Sequence, residues 1–481
     1  MANSFFNKER NYMRRTKIIC TIGPASENED KLREIMLAGM NVARFNFSHG
    51  SHEEHKRKYD RIKTLREELN LPIAVMLDTK GPEIRLKDFA NGKEELEAGQ
   101  KFTLTAREVQ GTKSEVSITY KELTKDCKEG MTILLDDGLI ELRVDEVTDE
   151  DINCTVVNGG PISDKKGVNV PGAKLTMPYL SEQDRSDIEF GCDQGFDFVA
   201  ASFVRTKEDV LDVRKILDDK NSCMKIIAKI ESTQGINNLE EIIDTADGIM
   251  VARGDMGVEV PFEDVPVIQK EMIKLAESKG KYVITATQML DSMIHHPRPT
   301  RAEVTDVANA IYDGTTAIML SGETASGDYP VEAVKTMARI AERTEQDIDY
   351  VGRLRKKDYA PTDSTTAISH ATCNIATEVG ADAILTVSMS GFTAAMVSRY
   401  KPSCRIIACT TKPTVCRQTN LMWGVTPLHI RQEDTTDELF KEAINSAKNA
   451  GLLKAGDKVV LTAGVPLGIP GRTNMIRVEE L

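Results

Sequence analysis

The chain has 481 residues, 40% of them hydrophobic and 28% charged, with a formal net charge of −13. This is ordinary globular composition with room for roughly two to four domains, and the acidic balance argues against a general nucleic-acid binder. Nine cysteines, an odd number without a C-x-x-C pair, point to reduced thiols in a cytoplasmic protein rather than a disulfide framework.

In chain order, the N-terminal MANSFFNKERNYMRRTK has no long apolar stretch and no small-residue cleavage site, so no signal peptide is expected. No later run approaches a membrane span. Short apolar runs follow: TKIICTIG near residue 20, NVARFNFSHG near 45 and PIAVMLDTKG near 75. After a gap come FDFVAASFV near 200, KIIAKIES near 228, GIMVARGDMG near 252, KYVITATQML near 285 and TAIMLSGET near 319. Helical patterns such as EDVLDVRKILDD and DVPVIQKEMIKLAESKG separate them. Eight buried strands alternating with helices predict an α/β fold, a (β/α)8 TIM barrel, in two parts at residues 1–86 and 170–343.

The interruption, residues 87–169, reads as strands of alternating polarity with an Asp-Asp-Gly turn in the third, a small inserted β-barrel domain placed as a lid over the barrel mouth. From residue 344 the polar YVGRLRKKDYAPTDSTT marks a boundary. Helix ISHATCNIATEVG and strands DAILTVS, RIIACT and KVVLTAG then predict a C-terminal α/β domain, residues 344–481.

In TIM barrels, chemistry sits at the C-terminal strand ends. Those ends carry Arg44, Asn46, Ser48 and His49; Asp78, Thr79 and Lys80, with Glu83 and Arg85 beyond; Lys229 and Glu231; Arg253 and Asp255; Thr287 and Gln288; and Ser321, Glu323 and Thr324. Lys229 and Glu231 stand two apart in an apolar run, so they share one strand face. An isolated pair of this kind is more often a structural ion pair. Asp255 at the next strand end and the rim arginines Arg44 and Arg253 favour function. Glu231 and Asp255 suit a hard divalent cation that keeps most of its shell for substrate and water. Lys229 beside them supplies a compact charge for a phosphoryl group or oxyanion.

Asn46, Ser48, Asp78 and Thr79 offer hard oxygen donors with one formal charge, which suits a monovalent cation; spacing alone leaves local strand-end hydrogen bonding equally open. GDMG offers backbone N–H groups to a carboxylate or phosphate. SMSGFT, with Ser388, Ser390 and Thr393, offers hydroxyls and a helix start to a phosphate, although an ordinary capped helix explains it as well.

The ordered set MNVARFNFSHG, LDTKGPEIR, KIES, MVARGDMG, TATQML and MLSGETA resembles the pyruvate kinase family over essentially the whole chain. The resemblance implies phosphoryl transfer from phosphoenolpyruvate to ADP, giving pyruvate and ATP, the last step of glycolysis. It implies a divalent metal, magnesium or manganese, on Glu231 and Asp255. Lys229 would stabilise the transferring phosphoryl group and Arg44 would grip its oxygens. Gly254, Asp255 and Thr287 would orient the substrate carboxylate. Asn46, Ser48, Asp78 and Thr79 would bind potassium, and Asn46, His49, Arg85 and Lys166 would line the nucleotide site. Thr287 and Ser321 would stand near the proton that completes pyruvate. Glu83, where potassium-independent relatives carry lysine, implies potassium activation. A homotetramer and a phosphorylated effector near Ser388, Ser390 and Thr393 are further implications, although Phe392 replaces a basic residue of some sugar-bisphosphate-activated relatives. No nucleic-acid or membrane partner is implied.

Two rivals share parts of this pattern. A magnesium-dependent enolate lyase on a TIM barrel needs neither the potassium set nor the inserted domain. A catalytically dead barrel should have lost Lys229, Glu231 or Asp255, and all three stand in the sequence.

Overall fold

The structure, a computed structural model, describes residues 14–356, 363–466 and 471–481. The N-terminal stretch expected to carry no signal peptide lies mostly outside these residues, as does the middle of the expected linker, 357–362. The eight apolar runs form one closed parallel barrel, with each strand beside its successor and the last beside the first. The strands are Lys17–Thr21, Val42–Asn46, Ala74–Asp78, Phe198–Ala201, Lys225–Ile230, Gly248–Ala252, Tyr282–Ala286 and Ala317–Leu320.

Strand alternation sorts each run into two faces. Ile19, Val42, Ala74, Met76, Phe198, Ile227, Met250, Ile284 and Met319 share one buried cluster, the barrel interior. Their neighbours Ile18, Cys20, Ala43, Val75, Ile226 and Ile249 belong to the layer under the helices. Capping boxes begin several of those helices, at Ser51, Ser181, Thr206 and Thr300, each with an acidic residue three positions on.

The insertion after the third strand has its own core, including Phe102, Leu104, Ile133, Leu142 and Val156. It is built from a six-stranded mixed sheet and a two-stranded antiparallel ladder. Asp136, Asp137 and Gly138, all at positive φ, turn its hairpin between Thr132–Leu135 and Ile140–Val147.

The C-terminal domain is a five-stranded sheet, parallel except for its last strand, Met475–Glu480. It also closes the barrel floor. Leu421, fully buried, joins the interior cluster. Beside it, Arg417 Nε donates to Asp197 Oδ1 at 2.8 Å, and Asn420 Nδ2 donates to the Pro72 carbonyl at 2.8 Å. These contacts plug the floor and leave the strand C-termini as the end that carries the polar side chains.

Candidate active site

Each inward row continues upward by two residues into a polar layer. Above Ile19 comes Thr21; above Val42, Arg44; above Met76, Asp78; above Ala200, Ser202; above Ile227, Lys229. These side chains meet. Arg44 Nε donates to Asp78 Oδ2 at 2.6 Å and its Nη1 donates to Thr21 Oγ1 at 2.9 Å. Lys229 Nζ donates to Asp78 Oδ1 at 3.1 Å and to Ser202 Oγ at 2.8 Å, and lies 3.0 Å from Glu231 Oε1. Ser202 was not singled out in the sequence, since FVAASFV reads as plain strand; its place two residues above Ala200 on the inward row is the signal that could have found it.

The charges in this layer do not balance. Burial raises the Asp78 pKa, but Arg44 and Lys229 together hold it below its usual value. Burial also disfavours the Lys229 ammonium, yet Asp78 and Glu231 hold its pKa above normal. Glu231, 1% exposed, shares that one ammonium. Burial lifts its carboxyl to about 7 despite Lys229, and the Asp255 carboxylate adds to the rise. Asp255 is itself raised, by burial first and then by Asp137 and Glu83. Asp137, Val168 and Asn169 of the insertion line one cavity together with Glu83, Ser232 and Asp255, so the inserted domain lies against the mouth.

Glu231 Oε2 accepts the Phe203 N–H at 2.6 Å, whereas Oε1 is buried with no hydrogen-bond donor in good geometry. A buried carboxylate that shares its one ammonium and interacts with a second carboxylate fits a divalent cation with few protein ligands. Among the described residues no group of three or more His, Cys, Asp or Glu side chains gathers in metal-binding geometry, so a cation here depends on other oxygens for most of its shell.

Asp255 and Gly254 sit in a short helix, Arg253–Glu259, that starts directly after the sixth strand. A Cβ on Gly254 would stand 2.9 Å from Thr287 Cγ2, so the two candidates for the substrate carboxylate are in contact. Thr287 and Gln288 adopt positive φ, 72° and 56°, a conformation costly for a β-branched residue. Arg253 holds them there: its guanidinium donates to the carbonyls of Ala286 and Thr287 at 3.1 and 2.6 Å and pairs with Asp306 at 2.7 Å. The rim position expected for Arg253 is therefore corrected. Strand alternation ends at Ala252, and the helical start turns the side chain away from the mouth. Glu323 likewise accepts the N–H groups of Ser321 at 2.7 Å and Leu290 at 3.0 Å, tying the last two strand ends together.

The potassium candidates are adjacent. Asn46 registers with Asp78 across the second and third strands, and Asn46 Oδ1 accepts the Ser48 N–H at 3.1 Å. Both Asp78 oxygens already meet cations, and Thr79 Oγ1 accepts the Ser202 N–H at 3.0 Å. Ser48 and His49 are exposed. Arg85 is clasped by Glu83 at 2.7–2.8 Å and Lys166 pairs with Asp136 at 2.9 Å.

Ser388, Ser390 and Thr393 line a separate cavity of about 290 Å³ in the C-terminal domain. Thr393 is buried there with its hydroxyl on Thr473 at 2.9 Å. Arg472 is the basic residue among that cavity's lining, which also includes Glu433 and Asp434; it was not anticipated, because it lies 79 positions beyond Thr393.

Two family models match this chain: "Pyruvate kinase, barrel domain" over residues 13–334 and "Pyruvate kinase, alpha/beta domain" over residues 366–479. A pyruvate kinase from Geobacillus stearothermophilus is 52% identical over 472 residues, covering 97% of this chain and 80% of the relative. One from Clostridium perfringens is 50% identical over 474 residues, covering 98% of this chain and 100% of the relative. A crystal structure of a pyruvate kinase from Cryptosporidium parvum superposes with a TM-score of 0.93 at 39% identity, covering 97% of this chain and 96% of that one.

Proposed function

The chain belongs to the pyruvate kinase family, and from that premise we propose that it transfers the phosphoryl group of phosphoenolpyruvate to ADP, giving pyruvate and ATP. The observation that carries the proposal is Lys229, held between Asp78 and Glu231 at 3.0–3.1 Å on the innermost polar layer. Phosphoryl transfer asks little covalent chemistry of a protein; it needs positioning and charge neutralisation. A dry lysine fixed by two carboxylates meets that need without reorganising.

In this reading Arg44 and Lys229 receive the phosphoryl oxygens from two sides of Asp78, which stays ionised and orients both. Gly254 and Asp255 lie at the start of the short helix, where their N–H groups face the substrate carboxylate with Thr287. Thr287 and Ser321 stand near the carbon that takes the final proton. Glu231 and Asp255 would hold magnesium or manganese, which supplies positive charge to the enolate and phosphoryl oxygens. Asn46, Ser48, Asp78 and Thr79 would hold potassium, with Asp78 as a carboxylate shared between the ion and the two basic side chains. His49, Arg85 and Lys166, with Asn46, would meet the nucleotide. Arg85 and Lys166 already pair with Glu83 and Asp136, so nucleotide binding exchanges partners rather than filling empty ones.

The enolate-lyase alternative leaves the inserted domain and the C-terminal domain without a role, whereas the two family matches account for the barrel and the C-terminal domain. A phosphorylated metabolite on Ser388, Ser390 and Thr393, a homotetramer and a cytoplasmic location complete the reading; no described helix is long and apolar enough to cross a membrane. The test is pyruvate formation from phosphoenolpyruvate and ADP with magnesium, with and without potassium at matched ionic strength. Strong potassium activation supports the reaction and the cation set together. No pyruvate from folded protein under either condition overturns the proposal.

A further inference from the structure

The turn Asn46–His49 carries three of the residues assigned above to potassium and nucleotide, yet its own bonds are few. Ser48 N–H reaches Asn46 Oδ1 at 3.1 Å, and His49 N–H reaches the Asn46 carbonyl only at 3.5 Å. The sheet pins Phe47, whose N–H donates to the Asp78 carbonyl at 2.9 Å. Past Phe47 the tether comes from the following helix, His52–Glu68. His55, 3% exposed, places Nε2 at 2.9 Å from the His49 carbonyl and stacks its ring on Phe47, with centroids 3.9 Å apart and planes at 15°. Because a carbonyl only accepts, Nε2 carries the proton.

Among the described residues no side chain hydrogen-bonds the His55 ring, although Lys58, His52 and Glu54 on its own helix lie near enough to act on its charge. Phe45 also stacks near the ring, with centroids 5.9 Å apart, and Nδ1 is buried without a hydrogen-bond partner. A phenylalanine would suit such a cluster and avoid the unpaired nitrogen. The imidazole's one polar contact among the described residues is the carbonyl of the turn. Burial holds the ring neutral, with its pKa lowered to about 4, so the donor persists across the physiological range. His52, on the same helix, does a different job: it points to Asp187 at 2.6 Å and stacks on Phe190.

We propose that His55 is a positioning residue that holds the Asn46–His49 turn in its ligand-ready shape, through its stack on Phe47 and its hydrogen bond to the His49 carbonyl. The inference rests on the reading of that turn as the potassium and nucleotide contact. Its consequence is specific: His55 sets how well ADP and potassium bind, not how fast the phosphoryl group moves once both are bound.

The experiment compares His55→Phe, which keeps the ring, with His55→Gln, which keeps a donor, in the full chain. ADP KM, potassium half-activation and kcat at saturation are measured, with His49→Ala and Ser48→Ala as references. His55→Phe should raise the ADP KM and the potassium half-activation about fivefold, the size of one lost neutral hydrogen bond, with kcat at saturation within twofold. His55→Gln should recover most of both. If His55→Phe does not fold, His55→Met takes its place. Unchanged constants in a folded His55 variant, alongside raised constants in His49→Ala and Ser48→Ala, overturn the positioning role alone, and so does a loss confined to kcat. Unchanged constants in all the variants overturn the reading of the turn, and the proposal with it.

Discussion

Replacing Lys229 with methionine removes one charge and little volume from the innermost polar layer. The lysine's nitrogen sits about 3 Å from carboxylate oxygens of both Asp78 and Glu231, and a phosphoryl oxygen at a typical charge-pair separation of about 4 Å sets the scale. At an effective dielectric near 20, one unit charge at that distance contributes roughly 4 kcal/mol, which is about a thousandfold in rate. The fold should tolerate the loss better than most broken buried ion pairs. Asp78 keeps Arg44 at 2.6 Å and Ser202 at 3.2 Å, Glu231 keeps the Phe203 N–H, and a carboxyl already raised to about 7 takes a proton readily. The assay is steady-state pyruvate formation, with thermal unfolding and direct magnesium titration as controls. Lys229→Met should lose about three orders of magnitude in kcat while phosphoenolpyruvate KM and magnesium affinity move less than about tenfold, as expected for an interaction made mainly in the transition state. A folded variant within tenfold of the parent rate would remove the lysine from the chemistry and leave it a structural ion pair.

Glu83→Lys should lower the ratio of potassium-supported to potassium-free activity toward one, although the new ammonium must stand beside Arg85, which Glu83 now clasps; an unchanged ratio refutes the role given to Glu83. Gly254→Ala puts a Cβ 2.9 Å from Thr287 Cγ2, against a residue already held at positive φ. It should raise phosphoenolpyruvate KM by about tenfold, or roughly 1.4 kcal/mol, and an unchanged KM would mean that Thr287 does not touch the substrate. The His55 pKa of about 4 against an ordinary 6.5 means that the unfolded chain binds the extra proton first as pH falls. Its contribution is therefore intact above about pH 6.5 and is lost between there and pH 4. Denaturant midpoints taken across that window should fall less steeply for His55→Phe than for the parent, and parallel profiles refute the assignment.

Much of this molecule is legible in one dimension because a parallel barrel writes each strand as a short apolar run with fixed alternation. Once Ile227 is placed inward, Lys229 is inward too, and the same step leads from Met76 to Asp78 and from Val42 to Arg44. That rule fails where a strand stops. Arg253 follows Ala252 in sequence but belongs to a helix, so its direction is set by helical geometry and by the carbonyls of Ala286 and Thr287. Ser202 escaped notice because a serine one step beyond a strand is unremarkable until its distant neighbours, Asp78 and Lys229, are known. The ladder strands Lys93–Leu96 and Gly160–Ser163 and the edge strand Val425–His429 were missed for a related reason. KEEL, GPIS and VTPLH are short, charged or interrupted by proline, as edges often are.

The choice between a structural ion pair and a working site, open when only Lys229 and Glu231 are considered, turns on the charge balance of the whole layer. Arg44 and Lys229 bring two positive charges; Asp78, Glu231 and Asp255 bring three negative ones. A network that served stability alone would gain by balancing, since each uncompensated buried charge is costly. Here the imbalance is localised. Asp78 is held ionised by two cations, while Glu231 and Asp255 share what remains and keep their protons to higher pH. The same lysine thus acts on both: it offsets the desolvation of Asp78 and leaves Glu231 under-neutralised, so that under the proposed function the carboxylate pair would favour an incoming divalent cation. The prediction of proton release on magnesium binding follows directly, because a carboxyl whose pKa burial raises must give up its proton to ligate the metal. Titrating magnesium in buffers of different ionisation enthalpy should give heats that scale with the buffer near neutral pH and no longer do so well above it. Heats independent of buffer near pH 7 would mean that Glu231 is already ionised and that the imbalance is not what draws the cation.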